Sequence, residues 1–502
     1  MTRRRATVWC ALVLIAALGL TGCIGGSDPG GSGRDGGSID IGVSALPETL
    51  DPALAGEPSE LQLLWLVHTP LLTYRRASGR DGNDLVPGLA RGLPRVSESG
   101  LSYRLTLRGG LHYSNGAPVR AGDFERAIDR LRALDSSLAP LYSNIVSIDA
   151  DAATGRIHIT LGHPDAAFTH LLALPASAPV PRGTPARDLS DRPPPGVGPY
   201  RLIRTGSRVA LLRSRDFELH GVPAGHVDRI ALLRHGPAAR LVPAVITGSL
   251  DVMREPAPAG LLPEVRTKYR DRYREEPAAV TVALVPDVEA PPLDDATVRH
   301  AVSQSMDQDT LRRLYKGLLD PSCNLLPEAV RGHRRIDPCP YGDRDEPPDL
   351  AGAAEDVERA GADGALVRVT AEAGVPPSVE RDVIRTLRKI GLAASARGAG
   401  AQLRVKRFAP IVGHPSAFFE PLMQSIFDAD LADDVRQATA ARSGDEADDA
   451  WAAADRRVVE EGYATPLGTE RRTAFFSERV DVDNCVRFQP IFGLDLSSLC
   501  LR

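Results

Sequence analysis

Leu366-Val367-Arg368-Val369, then the segment from Ser378 to Gly391, then Leu403-Arg404-Val405 form the stretch whose reading decides the fold class. The first segment reads as a strand. In the second, Val379, Val383, Leu387 and Ile390 recur at helical spacing, with Ser378 as the expected N-cap and Gly391 just past the end. The third reads as a return strand. Strand, helix and strand in this order predict a right-handed βαβ crossover, and hence a mixed α/β body.

The rest of the chain agrees. Ile39 to Val43 alternates as an opening strand, and Leu61 to Leu72 reads as a helix containing Trp65 and ending near Pro70. Leu101, Tyr103, Leu105 and Leu107 alternate as a half-buried strand before the Gly109-Gly110 turn. Phe124, Ala127, Ile128, Leu131 and Leu134 mark a helix, and Ile157, Ile159 and Leu161 a strand. The Pro-rich run from Arg182 to Pro195 reads as a connection between domains, with strands following around Tyr200–Ile203 and Val209–Arg213.

At 502 residues the chain is long enough for two or three domains, and 43% hydrophobic with 25% charged residues is ordinary for a globular protein. The formal net charge of −5 gives no reason to expect nucleic acid. After residue 22 no apolar run approaches transmembrane length.

The N-terminus carries its own signal. Arg3, Arg4 and Arg5 precede an apolar core from Val8 to Leu20, and Leu20-Thr21-Gly22-Cys23 resembles a bacterial lipobox. That resemblance implies cleavage before Cys23, lipidation of Cys23 and an extracytoplasmic location on the outer face of the cytoplasmic membrane. The competing reading is a plain secretory signal or a short anchor. Gly25, Gly26, Gly30, Gly31, Gly33, Gly36 and Gly37, interspersed with Ser, read as a flexible tether over 23–38. Four cysteines remain, Cys323, Cys339, Cys485 and Cys500, an even number in an oxidising compartment. Proximity favours Cys323–Cys339 and Cys485–Cys500, each closing a loop worth roughly 3 kcal/mol. The spacings do not suit a zinc site, so no metal and no cofactor are expected.

Several stretches resemble the extracytoplasmic solute-binding proteins of peptide/nickel ABC transporters, family 5. They are Leu50-Asp51-Pro52-Ala53, His68-Thr69-Pro70-Leu71-Leu72-Thr73-Tyr74, Val86-Pro87-Gly88-Leu89-Ala90, Ser114-Asn115-Gly116-Ala117-Pro118-Val119, Gly196-Val197-Gly198-Pro199-Tyr200-Arg201-Leu202, Val227-Asp228-Arg229-Ile230 and Pro292-Leu293-Asp294-Asp295. The resemblance implies an α/β fold: a two-lobed periplasmic-binding-protein (type II) clamshell with an extra domain in the first lobe. The expected segments are a signal over 1–22, a tether over 23–38, lobe 1 over 39–75, the extra domain over 76–193, lobe 1 again over 194–277, lobe 2 over 278–470 and a return to lobe 1 over 471–502. It also implies a monomeric receptor that closes on a small, peptide-like solute and presents it to ABC permease subunits, touching the membrane by its lipid anchor only. No catalytic group is required, and no Walker element, HExxH or GxSxG is present.

Two departures stand out. Family members that bind peptides carry a cleft Trp and an Asp for the free amine; here Phe408 and Ile411 fall at those positions, with Asp428 and Asp430 downstream as substitutes. Arg120 stands where a capping Thr is usual, three residues before Asp123, at a cost of about 1 kcal/mol. Aromatic content is only 5%, which favours a smaller or more polar ligand. Candidate ligand contacts are Glu57, Ser59, Tyr142, Tyr200, Phe408, Ile411 and His414. Against these stand plainer readings: a helix-capping role for Glu57 and Ser59, packing for Tyr142 and Tyr200, and a solvent-exposed loop position for His414. A surface sensor with a diverged cleft is the alternative function, and a secreted hydrolase a third, for which no nucleophile–base motif is visible.

Overall fold

Val280-Thr281-Val282-Ala283-Leu284-Val285 is apolar on both faces, the pattern of a strand buried on two sides. It belongs to the strand Tyr273–Pro286, which runs antiparallel to the strand Thr465–Phe476 from Tyr273↔Phe475 to Leu284↔Thr465. Their register breaks between Pro277 and Thr281, beside a proline that has no N–H to give the ladder. In this computed structural model, which describes residues 33–342, 346–396, 398, 400–441 and 444–502, these two strands join both halves of one eleven-stranded sheet.

On one side of the break the sheet continues through Val252–Met253, Ser38–Val43, Arg229–Arg234, Arg208–Arg213 and Tyr200–Thr205. On the other it continues through Leu403–Phe408, Leu366–Ala371 and Ala393–Ser395. Each half has its own apolar core, one around Ile39, Ile41, Ile230 and Phe476, the other around Val282, Val369, Val383 and Val405. The result is a two-lobed α/β clamshell whose lobes share two hinge strands. The expected boundaries at 277/278 and 470/471 fall inside those strands. A separate four-stranded sheet, Arg95–Val96, Ser102–Thr106, Arg156–Leu161 and Ile145–Asp151 in spatial order, packs on the helix Gly122–Ala133 and forms the extra domain.

The predicted crossover in lobe 2 is present, with two corrections. The helix is Pro377–Lys389, so Pro377 opens it, Pro376 is the N-cap, and Ser378 lies inside the first turn rather than capping it. The chain then returns first to Ala393–Ser395, which lies parallel to Leu366–Arg368, and only afterwards to Leu403–Phe408 on the other side. Ala-Ala-Ser lacks the β-branched residues that announce a strand. Gly391 adopts a positive φ of 93° just past the helix, as read.

The helix expected over Leu61–Leu72 is also corrected: it spans Pro58–Leu64. Beyond it the Leu66 carbonyl accepts from the Tyr200 N–H (3.1 Å) and the Thr69 N–H donates to Val197 (2.8 Å). The Gly196-Val197-Gly198 segment therefore takes the groups that would have continued the helix. Both glycines approach the Val67 carbonyl so closely that a Cβ would stand 2.2 and 2.7 Å from it.

Arg120 costs less than expected. Its own N–H donates to Asp123 Oδ2 (2.9 Å), which also accepts from the Tyr113 hydroxyl (3.0 Å), so half of the capping box survives.

The last residues of the Gly/Ser-rich segment are docked, not free. The Arg34 N–H donates to Leu501 (2.8 Å), the Gly36 N–H to His226 (2.8 Å), and the first strand begins at Ser38. Cys23, the signal segment 1–22 and the tether before Gly33 lie outside the described residues.

Both expected disulfides form, with Cα–Cα distances of 5.9 Å for Cys323–Cys339 and 5.6 Å for Cys485–Cys500. Asp455, fully buried, anchors the first of these loops by accepting from Asn324 Nδ2 and the Leu325 N–H, each at 2.8 Å.

Candidate functional site

Phe408 ends the lobe 2 strand, opposite Thr281, and is buried. The following residues leave lobe 2 and meet lobe 1. The Gly413 N–H donates to the Tyr74 hydroxyl (2.8 Å), and Asn83 Nδ2 donates to the Gly413 carbonyl (2.7 Å). The Tyr74 hydroxyl, which accepts from Gly413, is also hydrogen-bonded to His170 Nδ1 (3.0 Å). The His170 ring lies 5.3 Å from that of His414, which stands edge-on to Trp451 at 5.7 Å; Trp451 stacks on Phe419 at 5.3 Å. Lobe 1 supplies Tyr74, Asn83 and His170, and lobe 2 supplies Gly413, His414 and Trp451. The backbone of this loop is thus the latch between lobes. Gly413 is required there by contact alone: a Cβ would stand 1.6 Å from Asn83 Oδ1.

Phe408 ends the strand, and Ile411 and His414 lie on the loop that follows it. Ile411 is half-buried against the shared core. Neither downstream acid substitutes for a carboxylate at its place. Asp428 caps the helix Ala429–Ala440 through the Leu431 N–H (2.6 Å) and accepts from the Tyr463 hydroxyl (2.9 Å), while Asp430 pairs with Arg457 at 3.6 Å.

Glu57 is the N-cap residue of Pro58–Leu64, and Ser59 is exposed in its first turn. Glu57 also lies within electrostatic reach of Arg407 on lobe 2. The two tyrosine candidates have committed hydroxyls: Tyr142 donates to Leu171 (2.9 Å) inside the extra domain and Tyr200 to Val227 (3.0 Å) in lobe 1. Both are buried, the packing role the plainer reading gave them.

Other residues here were not singled out by sequence. Tyr74, Asn83 and His170 are spread over 97 positions of lobe 1, and nothing in their local pattern marks them. Arg76 places its guanidinium carbon over Trp65, 3.2 Å from the ring centre, and its Nη1 pairs with Asp495 at 3.0 Å. Arg407 grips Glu470 through Nε and Nη2 at 2.7–3.0 Å. The run Glu470-Arg471-Arg472 inside an otherwise apolar strand was the available signal. A cavity of about 670 Å³ opens elsewhere in lobe 1, lined by Arg213, Asp216 and Phe217, and none of the latch residues borders it.

Packing holds His414 and His68 near a pKa of about 4, and His170 well below the ordinary value, because burial disfavours the charged ring. An imidazole depressed in the fold stabilises it above pH 6.5, and that stability is lost as pH falls toward 4. Asp455 works in the opposite sense: burial raises it to about 7, so its contribution is full below pH 3.8 and fades as pH rises through 7. Three rings outweigh one carboxyl. Urea unfolding should therefore show stability falling from pH 6.5 to 4, and more steeply still in Asp455→Asn, by about 1.4 kcal/mol per pH unit for the proton no longer offset. A flat profile would refute the assignment.

The profile of the bacterial extracellular solute-binding proteins, family 5 Middle, matches residues 84–397, more than half of the chain. The chain belongs to this family. Among curated relatives, Protein XP55 of Streptomyces lividans is 26% identical over 460 residues, covering 86% of this chain and 77% of that protein. The glutathione-binding protein GsiB of Salmonella typhimurium is 25% identical over 348 residues, covering 65% of this chain and 62% of its own length. Among solved structures, clavulanic acid biosynthesis oligopeptide binding protein 2 superposes with a TM-score of 0.83 at 22% identity, covering 94% of this chain and 99% of that one. The periplasmic murein tripeptide binding protein MppA, in its unliganded open form, gives 0.78 at 16% identity, covering 94% and 98%. The solute-binding family member is thus a type II periplasmic-binding-protein clamshell, and its family and fold are those of solute-binding proteins. No helix among the described residues is long and apolar enough to cross a membrane.

Proposed function

We propose that this family 5 protein is a lipid-anchored extracytoplasmic receptor that binds a small peptide or peptide-like solute between its lobes and delivers it to an ABC importer permease. The observation that carries the reading is the latch: lobe 2 reaches lobe 1 through the Gly413 backbone, which donates to Tyr74 and accepts from Asn83. Solute that touches both lobes shifts the open–closed equilibrium toward the closed form, and a permease reads that form. The ligands named for its relatives, glutathione for GsiB and a murein tripeptide for MppA, support a small peptide-like solute. Cys23 supplies the anchor, and the protein acts as a monomer.

A surface sensor with a diverged cleft is the second reading. It is favoured by Ile411, which offers no carboxylate to a peptide amine, and by the commitment of Asp428 and Asp430 within lobe 2.

The test is uptake of a radiolabelled tripeptide mixture by cells deleted for the gene and complemented with the wild-type or Cys23→Ala protein. Wild type should restore uptake and sediment with membranes. Cys23→Ala should appear in the medium and restore little. Uptake indifferent to the deletion would favour the sensor.

A further inference from the structure

His170 and His414 face each other across the latch. His170 belongs to the short helix Phe168–Leu171 of the extra domain and His414 to the lobe 2 loop, and their ring centres are 5.3 Å apart. Both residues are half-buried, whereas His68 is completely buried. Protons from solvent can therefore reach the pair without the protein unfolding.

The hydrogen bonds of the closed lobes are those of neutral rings. The Ser416 N–H donates to His414 Nδ1 (3.3 Å), so that nitrogen carries no proton, and the Ser416 hydroxyl, 2.9 Å away, donates to it as well. The Tyr74 oxygen accepts the Gly413 N–H, and among the described residues the hydroxyl has one other partner, His170 Nδ1. A charged imidazole carries N–H at both nitrogens. His170 would then aim an N–H at the Tyr74 oxygen, and the proton of that buried hydroxyl would be left without an acceptor. The same change on His414 sets Nδ1–H against the Ser416 N–H. Two charged rings at this spacing also repel across the interface.

The surrounding charges do not shelter a cation. Arg331 of lobe 2 acts on His170 with the same sign. Asp448 is divided between Arg331 (3.0 Å) and Arg80 (3.2 Å), the latter reaching over from the extra domain. Asp165, just ahead of the His170 helix, and Glu420, on the lobe 2 helix Ser416–Met423, feel each other across the interface, and burial raises both. Their mutual repulsion eases as they take up protons, a sign opposite to that of the rings.

We propose that the histidine pair is a pH-operated catch on the latch: neutral rings let the lobes close on solute, and their protonation on acidification separates the lobes and releases it. This rests on the receptor reading above and concerns how that receptor lets go. In the open form each ring meets water and titrates near the ordinary value of about 6.5, while in the closed form burial holds it lower. Closure is thus fully supported above that value and loses support as pH falls below it.

The experiment is equilibrium dialysis of the full-length protein, purified in detergent, against a radiolabelled mixture of tripeptides without His, Asp or Glu, at about pH 7.5 and about pH 5.5, either side of the free imidazole value. Wild type should bind roughly ten- to hundredfold more weakly at the acid pH, about tenfold for each ring, with its far-ultraviolet circular dichroism unchanged. His170→Asn and His414→Asn place an amide oxygen where Nδ1 accepts and cannot take up a proton. Each should cut the ratio between the two pH values, and the double variant should bring it to within about twofold of unity, whatever its affinity at neutral pH. Where a variant fails to fold, small-angle scattering of wild type saturated with the tripeptides decides: its radius of gyration should grow at the acid pH. Equal binding or equal radii at both pH values, a ratio that survives in the double variant, or a binding loss that tracks loss of the circular dichroism signal overturns the catch and leaves the receptor reading intact. No binding at either pH overturns the receptor reading, and the catch with it.

Discussion

Asp51→Ala is expected to lower the stability of the protein by about 3–5 kcal/mol, a large part of the roughly 5–15 kcal/mol typical of a folded domain. Asp51 is completely buried. Its two oxygens accept from Arg130 Nη1 and Nη2, both at 2.5 Å, from the Leu189 N–H at 2.8 Å and from the Ala53 N–H at 3.0 Å. Arg130 itself, 3% exposed, also donates to the Pro185 and Arg187 carbonyls. One carboxylate therefore ties the start of lobe 1 to the extra-domain helix and to the Pro-rich segment. Alanine leaves Arg130 buried without a counter-charge and two main-chain donors without an acceptor. The companion experiment separates this from loss of packing. The double substitution Asp51→Leu with Arg130→Met removes both charges and should cost markedly less than Asp51→Ala alone. Urea denaturation measures both. A loss below 1 kcal/mol for Asp51→Ala would show that water reaches the pair.

Gly413→Leu is expected to weaken solute binding about thirtyfold or more while leaving the stability of each lobe nearly unchanged. The latch gives up two hydrogen bonds, to Tyr74 and from Asn83, worth about 1 kcal/mol each, and it meets a steric clash besides. Because those contacts exist only when the lobes are together, their loss acts on closure and passes into the apparent affinity. The clash is with one side chain, so it can be relieved. Asn83→Ala combined with Gly413→Ala makes room for the new Cβ and should bind better than Gly413→Ala alone. Small-angle scattering should show Gly413→Leu with a larger radius of gyration than wild type in the presence of solute. Equal radii and equal affinity would mean that the loop is not the latch.

These two residues show what could be read from the chain and what could not. Asp51 stood in the Leu50-Asp51-Pro52-Ala53 run that pointed to the family, and the structure gives the physical reason: it is a structural ion pair, so the motif marks fold rather than ligand. The lobe 2 crossover was legible because Val379, Val383, Leu387 and Ile390 bury one helix face. Both cysteine pairs followed from proximity. The early helix was misplaced because its end is decided by Gly196-Val197-Gly198, some 130 residues away, and periodicity carries no such information. The interlobe contact was legible only in part. Ile411 and His414 lie on the loop after Phe408, but Tyr74, Asn83 and His170, which meet Gly413 and His414, belong to three separate segments that only the tertiary fold unites.

The central claim is that a small solute is held between the lobes, and native mass spectrometry of the protein purified gently from its extracytoplasmic compartment tests it most directly. The account predicts a protein carrying a co-purifying small mass, released on unfolding, and bare protein for Gly413→Leu prepared in the same way. Wild-type protein that leaves the membrane bare, and stays bare after incubation with a tripeptide mixture, would contradict it.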